Sequence, residues 1–298
     1  MFLIVTQSLD YTANYIINKY DDFDWFRLNV DRIQDYKIRI TQNHWYIDDG
    51  CRMISNMDIK AIYYRKPSLP DLSKYEKRYH GMISRDIISI INGIVDSFSG
   101  TVITKPSILR KCDNKIYQLL TAKKYGFTVP DSVICNDTEY IKINKSYKQI
   151  IKPITLGKLN YGSYVECYPT SILKELQEDI SLNFVYVQNY VDKLYEVRLT
   201  VILNDIYAVR IDTDNKIDWR LDYENHKYSL IQCPEYVKEA CKKIMFSYQL
   251  VFCIFDFIVN FNNEWIFLEI NPNGQWLWLE KKLSLEISRN IVDILKSK

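Results

Sequence analysis

The residues best suited to chemistry lie in one stretch, 253–276, CIFDFIVNFNNEWIFLEINPNGQW. Two apolar runs, 254–260 and 264–270, flank Asn262-Asn263. Asn tolerates positive φ, so the spacing predicts a hairpin with a two-residue turn. Counting outward from a Phe261–Glu264 pair sets Asp256 opposite Glu269. Phe255, Phe257 and Val259 then share an apolar face with Ile266, Leu268 and Ile270. The other face carries Asp256, Glu269 and, two residues on, Asn271, flanked by Ile258 and Phe267. Opposed carboxylates about 5 Å apart at Cβ repel each other, and a divalent cation between them removes the conflict. Asp, Glu and Asn supply oxygen only. That suits Mg²⁺, which takes one or two carboxylates and completes its shell with water and nucleotide phosphates. The plainer alternative is a solvated sheet face, and the flanking apolar residues argue against it.

Other polar residues fall where such a site could use them. Lys115 lies in the first turn of a helix expected from Asn114 to Tyr125, capped by Asp113 and ended by Gly126. A cation there opposes the helix dipole and hints at a nearby anion. Lys152 ends a strand over 148–152, before a loop, 154–164, whose Gly157 and Gly162 could let backbone N–H groups fold over phosphates. Arg65-Lys66-Pro67 follows a strand at 61–64, at the end where parallel sheets bind ligands. A strand over 184–188 runs into Asn189-Tyr190-Val191-Asp192, a hinge able to offer backbone groups to an adenine edge. A second hairpin, 196–203 with 206–212 around Asn204-Asp205, puts Arg198 and Arg210 on opposite faces. Arg65-Lys66 reads equally as a solvated loop, and each lysine alone reads as surface; Lys115 and Lys152 together sit at the mouth of one α/β unit.

The positioning elements read as α/β. A strand at 2–6, a helix at 8–20 and a strand at 23–28 make a β-α-β start. A strand or hairpin follows at 37–47. The helix expected at 80–97 carries Ile83, Ile87, Ile90, Ile91 and Ile94 on one side. A strand at 101–104 and then Pro106 close a first domain. Later come a short helix over 171–179, a helix from Pro234 to Tyr248 and a closing helix, 283–296, striped by Leu283, Ile287, Ile291 and Leu295.

The totals narrow the function. At 298 residues and 47% hydrophobic the chain is long enough for two or three domains. A net charge of +2 steers it neither to nucleic acid nor to anionic lipid, and without a basic stripe the 24 Tyr read as core and interface. Seven Cys without CxxC and only three His argue against a disulfide framework and a zinc site. No signal peptide and no run of about 18 apolar residues is present, so a cytosolic (cytoplasmic) protein is expected.

Four segments carry a resemblance: 113–132 (DNKIYQLLTAKKYGFTVPDS), 187–212 (VQNYVDKLYEVRLTVILNDIYAVRID), Asp218-Trp219-Arg220, and FDFI…FLEINPNGQW. They are similar to the ATP-grasp ligases that macrocyclise ribosomal peptides, the microviridin or graspetide (omega-ester peptide) class; the N-terminal stretch and YYRKP also fit. The resemblance implies an α/β (α+β) ATP-grasp fold in three domains. These are an N-terminal pre-ATP-grasp domain (1–106), a central domain (107–187) and a C-terminal domain (188–298), with ATP between the last two. It implies that Asp256, Glu269 and Asn271 hold Mg²⁺ and that Lys115 and Lys152 contact phosphates. Gln188, Tyr190 and Val191 would line the adenine hinge, and Arg210 would steady the transferring phosphoryl. Asp218, Arg220, Arg198 and Arg65 would meet a ribosomal precursor peptide. It departs from the family at the glycine-poor loop 154–164 and at Lys66, where a second Arg is expected. The activity implied joins Glu or Asp side chains, activated as acyl phosphates, to Thr/Ser hydroxyls or Lys amines, with a homodimer by analogy. The alternatives are an amino-acid or glutamate ligase of the same fold, or a nucleotide-binding pseudoenzyme that docks a peptide.

Overall fold

FLIVT at the N-terminus is apolar and buried throughout, as a strand covered on both faces must be. The computed structural model describes residues 1–137, 140–141, 148–155, 158–160, 165–167, 170–173, 180–221 and 226–297. In chain order, β1 (Phe2–Thr6), α1 (Tyr11–Lys19) and β2 (Trp25–Asn29) come first. An antiparallel flap follows, β3 (Lys37–Ile40), β4 (Trp45–Asp48) and β5 (Met53–Ser55). Then come β6 (Ala61–Tyr64), α2 (Lys77–Asp96) and β7 (Thr101–Ile103), and β2-β1-β6-β7 form a parallel sheet. The first helix starts later than expected because Asp10 caps it, accepting from the N–H of Thr12 at 2.9 Å and of Ala13 at 3.1 Å.

Pro106 opens α3 (Pro106–Asp113), where a missing N–H is harmless. α4 (Lys115–Lys124) follows directly, capped not by Asp113, which ends α3, but by Asn114. The Asn114 Oδ1 accepts from Ile116 N–H at 3.0 Å and Tyr117 N–H at 3.2 Å. Gly126 then takes the left-handed φ of 88° that a helix exit favours.

The next sheet is antiparallel. Its region contains β8 (Ser132–Cys135), β9 (Gln149–Lys152), the small hairpin β10 (Lys158–Asn160) with β11 (Val165–Cys167), β12 (Ser171–Ile172) and β13 (Val185–Asn189), in sheet order β12-β9-β13-β8. The helix expected over 171–179 gives way at its start to β12, which Leu173 N–H extends by bonding Gln149 C=O at 2.9 Å. Residues 174–179 lie outside the described residues, as do 156–157 and 161–164 of the expected phosphate loop.

The third sheet holds the hairpins. It comprises β14 (Tyr195–Ile202), β15 (Asp205–Asp212) and β16 (Lys227–Leu230), then, after α5 (Glu235–Tyr248), β17 (Phe252–Val259) and β18 (Trp265–Asn271), in order β16-β15-β14-β17-β18. Val197, Leu199, Phe255 and Phe257 pack one face with Cys241 and Ile244 of α5. Ile202, Val209 and Ile254 on the other face share a core with Ile4 and Tyr63 of the parallel sheet. α6 (Leu277–Leu283) and α7 (Ile287–Lys296) close that core with Leu279 and Ile291. α7 is the closing helix expected over 283–296, starting four residues later because Ser284, at a left-handed φ of 52°, ends α6, a helix not expected. Among the described residues no helix is long and apolar enough to cross a membrane.

Both hairpin turns differ from expectation. Ile202 pairs with Asp205, so Leu203-Asn204 make the first turn. In the second, Asn260 N–H bonds Glu264 C=O at 3.1 Å, which leaves a three-residue loop with Asn263 at φ 60°. The register Val259↔Trp265, Phe257↔Phe267 is thus one residue off the count, and a bulge at Leu268 restores Asp256↔Glu269. The apolar face therefore uses Trp265, Phe267 and Ile270, not Ile266 and Leu268, and Ile266 replaces Phe267 beside Ile258.

Candidate active site

Asp256 and Glu269 oppose each other on β17 and β18, with Asn271 two residues along on the same face. Arg198 on β14 pairs in register with Asp256, and its Nη1 donates to both carboxylate oxygens at 2.9 and 3.1 Å. Lys115, at the start of α4, donates to Glu269 Oε2 at 2.6 Å. One turn on, buried Gln118 fastens α4 to β18. Its Nε2 donates to Ile270 C=O at 3.2 Å and Cys112 C=O at 2.7 Å, and its Oε1 accepts from Ile270 N–H at 3.2 Å. From the antiparallel sheet, Lys152 donates to Gln188 Oε1 at 2.6 Å, and Gln188 in turn donates to the Tyr186 hydroxyl at 3.1 Å. Asp218, buried, accepts from Arg220 Nε at 2.8 Å and Nη2 at 2.9 Å.

The charges act on one another. Burial would raise Glu269, but Lys115, Arg220 and Lys152 outweigh it and hold the carboxyl at about 2. Burial and then Glu269 push Asp256 up, against the pull of Arg198 and Arg220. Burial drives Lys152 down to about 8, with help from Lys115 and Arg220 and against the pull of Glu269. Arg198 Nε is buried and bonds to nothing among the described residues. An anion with several oxygens would satisfy that donor and favour the charged form of Lys152. The oxygen donors also fit Mg²⁺. Among the described residues no three or more His, Cys, Asp or Glu side chains cluster as a metal cage. Two carboxylates and an amide are what Mg²⁺ accepts when phosphate and water complete its shell.

No family model matches the sequence, and a comparison with curated proteins finds no match. Solved structures do match. A RiPP-associated ATP-grasp ligase from Chryseobacterium gregarium, solved with ADP and a leader and core peptide, has a TM-score of 0.87 at 24% identity. The match covers 99% of this chain and 96% of that one. The macrocyclase MdnC from Microcystis aeruginosa, bound to precursor peptide MdnA, gives 0.88 at 21% identity over 99% of both chains. This chain has the ATP-grasp fold. The ATP-grasp ligase PsnB, complexed with minimal precursor, Mg and ADP, gives 0.75 at 18% identity over 99% of this chain and 96% of that one.

Within this ATP-grasp fold, Lys115, Lys152, Gln188, Arg198, Asp256, Glu269 and Asn271 converge. Arg210 does not. It sits opposite Val197, on the sheet face that packs α5, and binds Asp212 through Nε at 2.9 Å and Nη2 at 2.7 Å. Arg198, assigned to peptide, is instead the arginine beside Asp256; shifting the turn by one residue moves the register by two and preserves the faces. Arg65, also assigned to peptide, is fully buried against Asp10 and unavailable to a substrate. Asp218 and Arg220 stand near the carboxylate pair, Arg220 acting on both acids and Asp218 on Lys152. At the hinge, Tyr190 N–H already donates to Lys148 C=O at 2.8 Å and its hydroxyl to Lys216 C=O at 3.0 Å. Val191 is half-buried. Two features are not among those expected from the sequence: Gln118 and the buried Lys193–Glu196 ion pair, in which burial raises Glu196 against the pull of Lys193. Gln118 lies three residues after Lys115 on the same helix side, a polar residue on a packing face, and that signal could have found it.

Proposed function

We propose that this chain is an ATP-dependent, ADP-forming ligase. It would phosphorylate Glu or Asp side chains of a ribosomal precursor peptide and join the acyl phosphate to Thr/Ser hydroxyls or Lys amines, closing ester or amide macrocycles. The observation that carries this reading is the convergence of Lys115, Lys152, Arg198 and Arg220 on the opposed pair Asp256 and Glu269. It is supported by likeness to ligases solved with ADP and with leader, core or precursor peptides. We place ATP and Mg²⁺ as its cofactors and the cytoplasm as its site. The three-part division stands in this reading with one change: β13 crosses the 187/188 boundary, so the C-terminal part begins after Asn189.

A carboxylate is a poor electrophile because its leaving group is oxide. Moving the γ-phosphoryl of ATP onto a peptide carboxylate oxygen releases ADP and gives an acyl phosphate. A hydroxyl or amine then attacks the carbonyl, the C–O bond to phosphate breaks, and the nucleophile's proton leaves with solvent. Mg²⁺ held by Asp256, Glu269 and Asn271 would draw charge from the phosphate oxygens. Lys115, Lys152 and Arg198 neutralise the moving phosphoryl, a reaction governed by positioning and charge. In this account Arg198 takes the role expected of Arg210, and Arg220, half-exposed beside the pair, is the side chain set to meet the peptide carboxylate. No protein nucleophile is required.

The test uses a short Thr- and Glu/Asp-rich precursor from a neighbouring reading frame, incubated with the enzyme and Mg²⁺·ATP. Each ring should remove about 18 Da from the peptide and release one ADP, the mass consequence of the acyl-phosphate route. Glu269→Gln should do neither. Nucleotide turnover without mass loss, or no turnover, overturns the assignment.

A further inference from the structure

Arg65 makes more bonds than a buried ion pair requires. Its Nε and Nη2 reach Asp10 at 3.2 and 3.4 Å, and Nη1 donates to the Tyr63 hydroxyl at 3.3 Å. Asp10 also accepts from Thr6 Oγ1 at 2.6 Å while capping α1. The surplus goes to residues 272–276, which join β18 to α6. Arg65 Nη2 donates to Gln275 Oε1 at 3.1 Å, and the Arg65 carbonyl accepts from the Asn273 amide. Thr12 Oγ1 donates to Gln275 Oε1 at 3.3 Å, and Trp276 Nε1 donates to the Tyr63 hydroxyl at 3.2 Å. The parallel sheet thus grips this loop from β6 and α1.

The inner side of the loop meets Arg198. The Gln275 carbonyl accepts from Arg198 Nη2 at 3.3 Å. A Cβ on Gly274 would stand 3.1 Å from that Nη2 and 2.7 Å from Ile254 Cδ1, so glycine is what lets the guanidinium lie there. With Nη2 held by the loop, Nη1 is aimed at Asp256.

We propose that Arg65 and Gln275 are positioning residues that fix the guanidinium of Arg198, through residues 272–276, where the γ-phosphoryl of bound nucleotide must sit. This rests on the reading of Asp256 and Glu269 as a Mg²⁺-nucleotide site. It assigns to the N-terminal sheet a part in phosphoryl transfer that none of its side chains performs by contact. The planar fork of Arg65 serves Asp10 and Gln275 at once in a fixed geometry that the single ammonium of a lysine lacks.

Affinities for Mg²⁺·AMPPNP and Mg²⁺·ADP, with melting temperatures, are measured for the wild type, Gln275→Met and Arg65→Lys. Gln275 has an exposed side chain, so Gln275→Met tests the tie without endangering the fold. Arg65→Lys keeps a charge beside Asp10 but loses the fork. Both should weaken AMPPNP by roughly 3- to 10-fold, the range of one hydrogen bond, and leave ADP unchanged. Equal weakening of both nucleotides with a lowered melting temperature would mean a structural role only and overturn the proposal; so would no change in either. If Arg65→Lys does not fold, Gln275→Met decides. A wild type that binds neither nucleotide overturns the Mg²⁺-nucleotide reading and this inference with it; a wild type that binds both while the variants match it overturns the inference alone.

Discussion

At the scale of single residues, Lys152 has a consequence that can be measured. Burial and neighbouring cations hold it near 8, so it loses its proton as pH rises through that value. In the unfolded chain the same lysine stays charged to about 10.4. Between those limits the unfolded state binds more protons, so the unliganded protein gains stability as pH rises from 8 toward 10. On the proposed reading, nucleotide affinity runs the other way, because a triphosphate at Lys152 needs the charged lysine. Affinity for Mg²⁺·AMPPNP should fall as pH climbs past 8, with uptake of a proton on binding above that pH. Lys152→Met should bind more weakly at pH 7 and lose the decline. Calorimetry in buffers of different ionisation enthalpy checks both, and a pH-independent affinity in the wild type would remove Lys152 from the phosphate site.

At the scale of elements, what was legible in the sequence was parity, and what was not was register. Alternation along 252–271 placed Asp256, Glu269 and Asn271 on one face, although the turn holds three residues and not two. The bulge at Leu268 absorbs the difference. A count from the turn cannot see a bulge, which lies where β18 meets partners remote in sequence, among them Thr128, whose carbonyl accepts from Phe267 N–H at 2.9 Å. Arg65 was misread for a related reason. Its neighbours Asp10 and Gln275 are remote in sequence, so nothing local distinguishes it from a solvated loop arginine. Gln118 belongs here too, since it joins helix to strand with three hydrogen bonds, two of them to Ile270. Gln118→Leu would leave buried backbone groups of Ile270 and Cys112 without partners. It should cost roughly 1–3 kcal/mol in urea unfolding and loosen Lys115 from Glu269. A variant as stable as wild type would show that α4 is held to β18 by packing alone.

At the scale of the whole molecule, the site is made by segments far apart in the chain. β17 and β18 bring the acids, β14 brings Arg198, α4 brings Lys115, and β9 with β13 brings Lys152 on Gln188. The parallel sheet, which supplies none of these, shares its core with the five-stranded sheet through Ile4, Tyr63, Ile254 and Trp276. Buried Glu280 adds a polar tie, accepting from Tyr15 at 2.8 Å and Lys19 at 3.0 Å on α1 and from Ser288 N–H at 2.6 Å on α7. A ligand that bridges these segments binds only the folded arrangement, so mass action makes it stabilise the whole chain, by about 2.7 kcal/mol at a hundred times its dissociation constant. For a chain this long that is a rise of several degrees in melting temperature, at roughly 2–4 °C per kcal/mol. AMPPNP should give that rise with Mg²⁺ present. Adding EDTA should remove most of it, because phosphates without the cation must face Asp256 and Glu269 directly. A rise that survives EDTA undiminished would show that the lysines and arginines bind the nucleotide unaided, and that the carboxylate pair serves some purpose other than holding its metal.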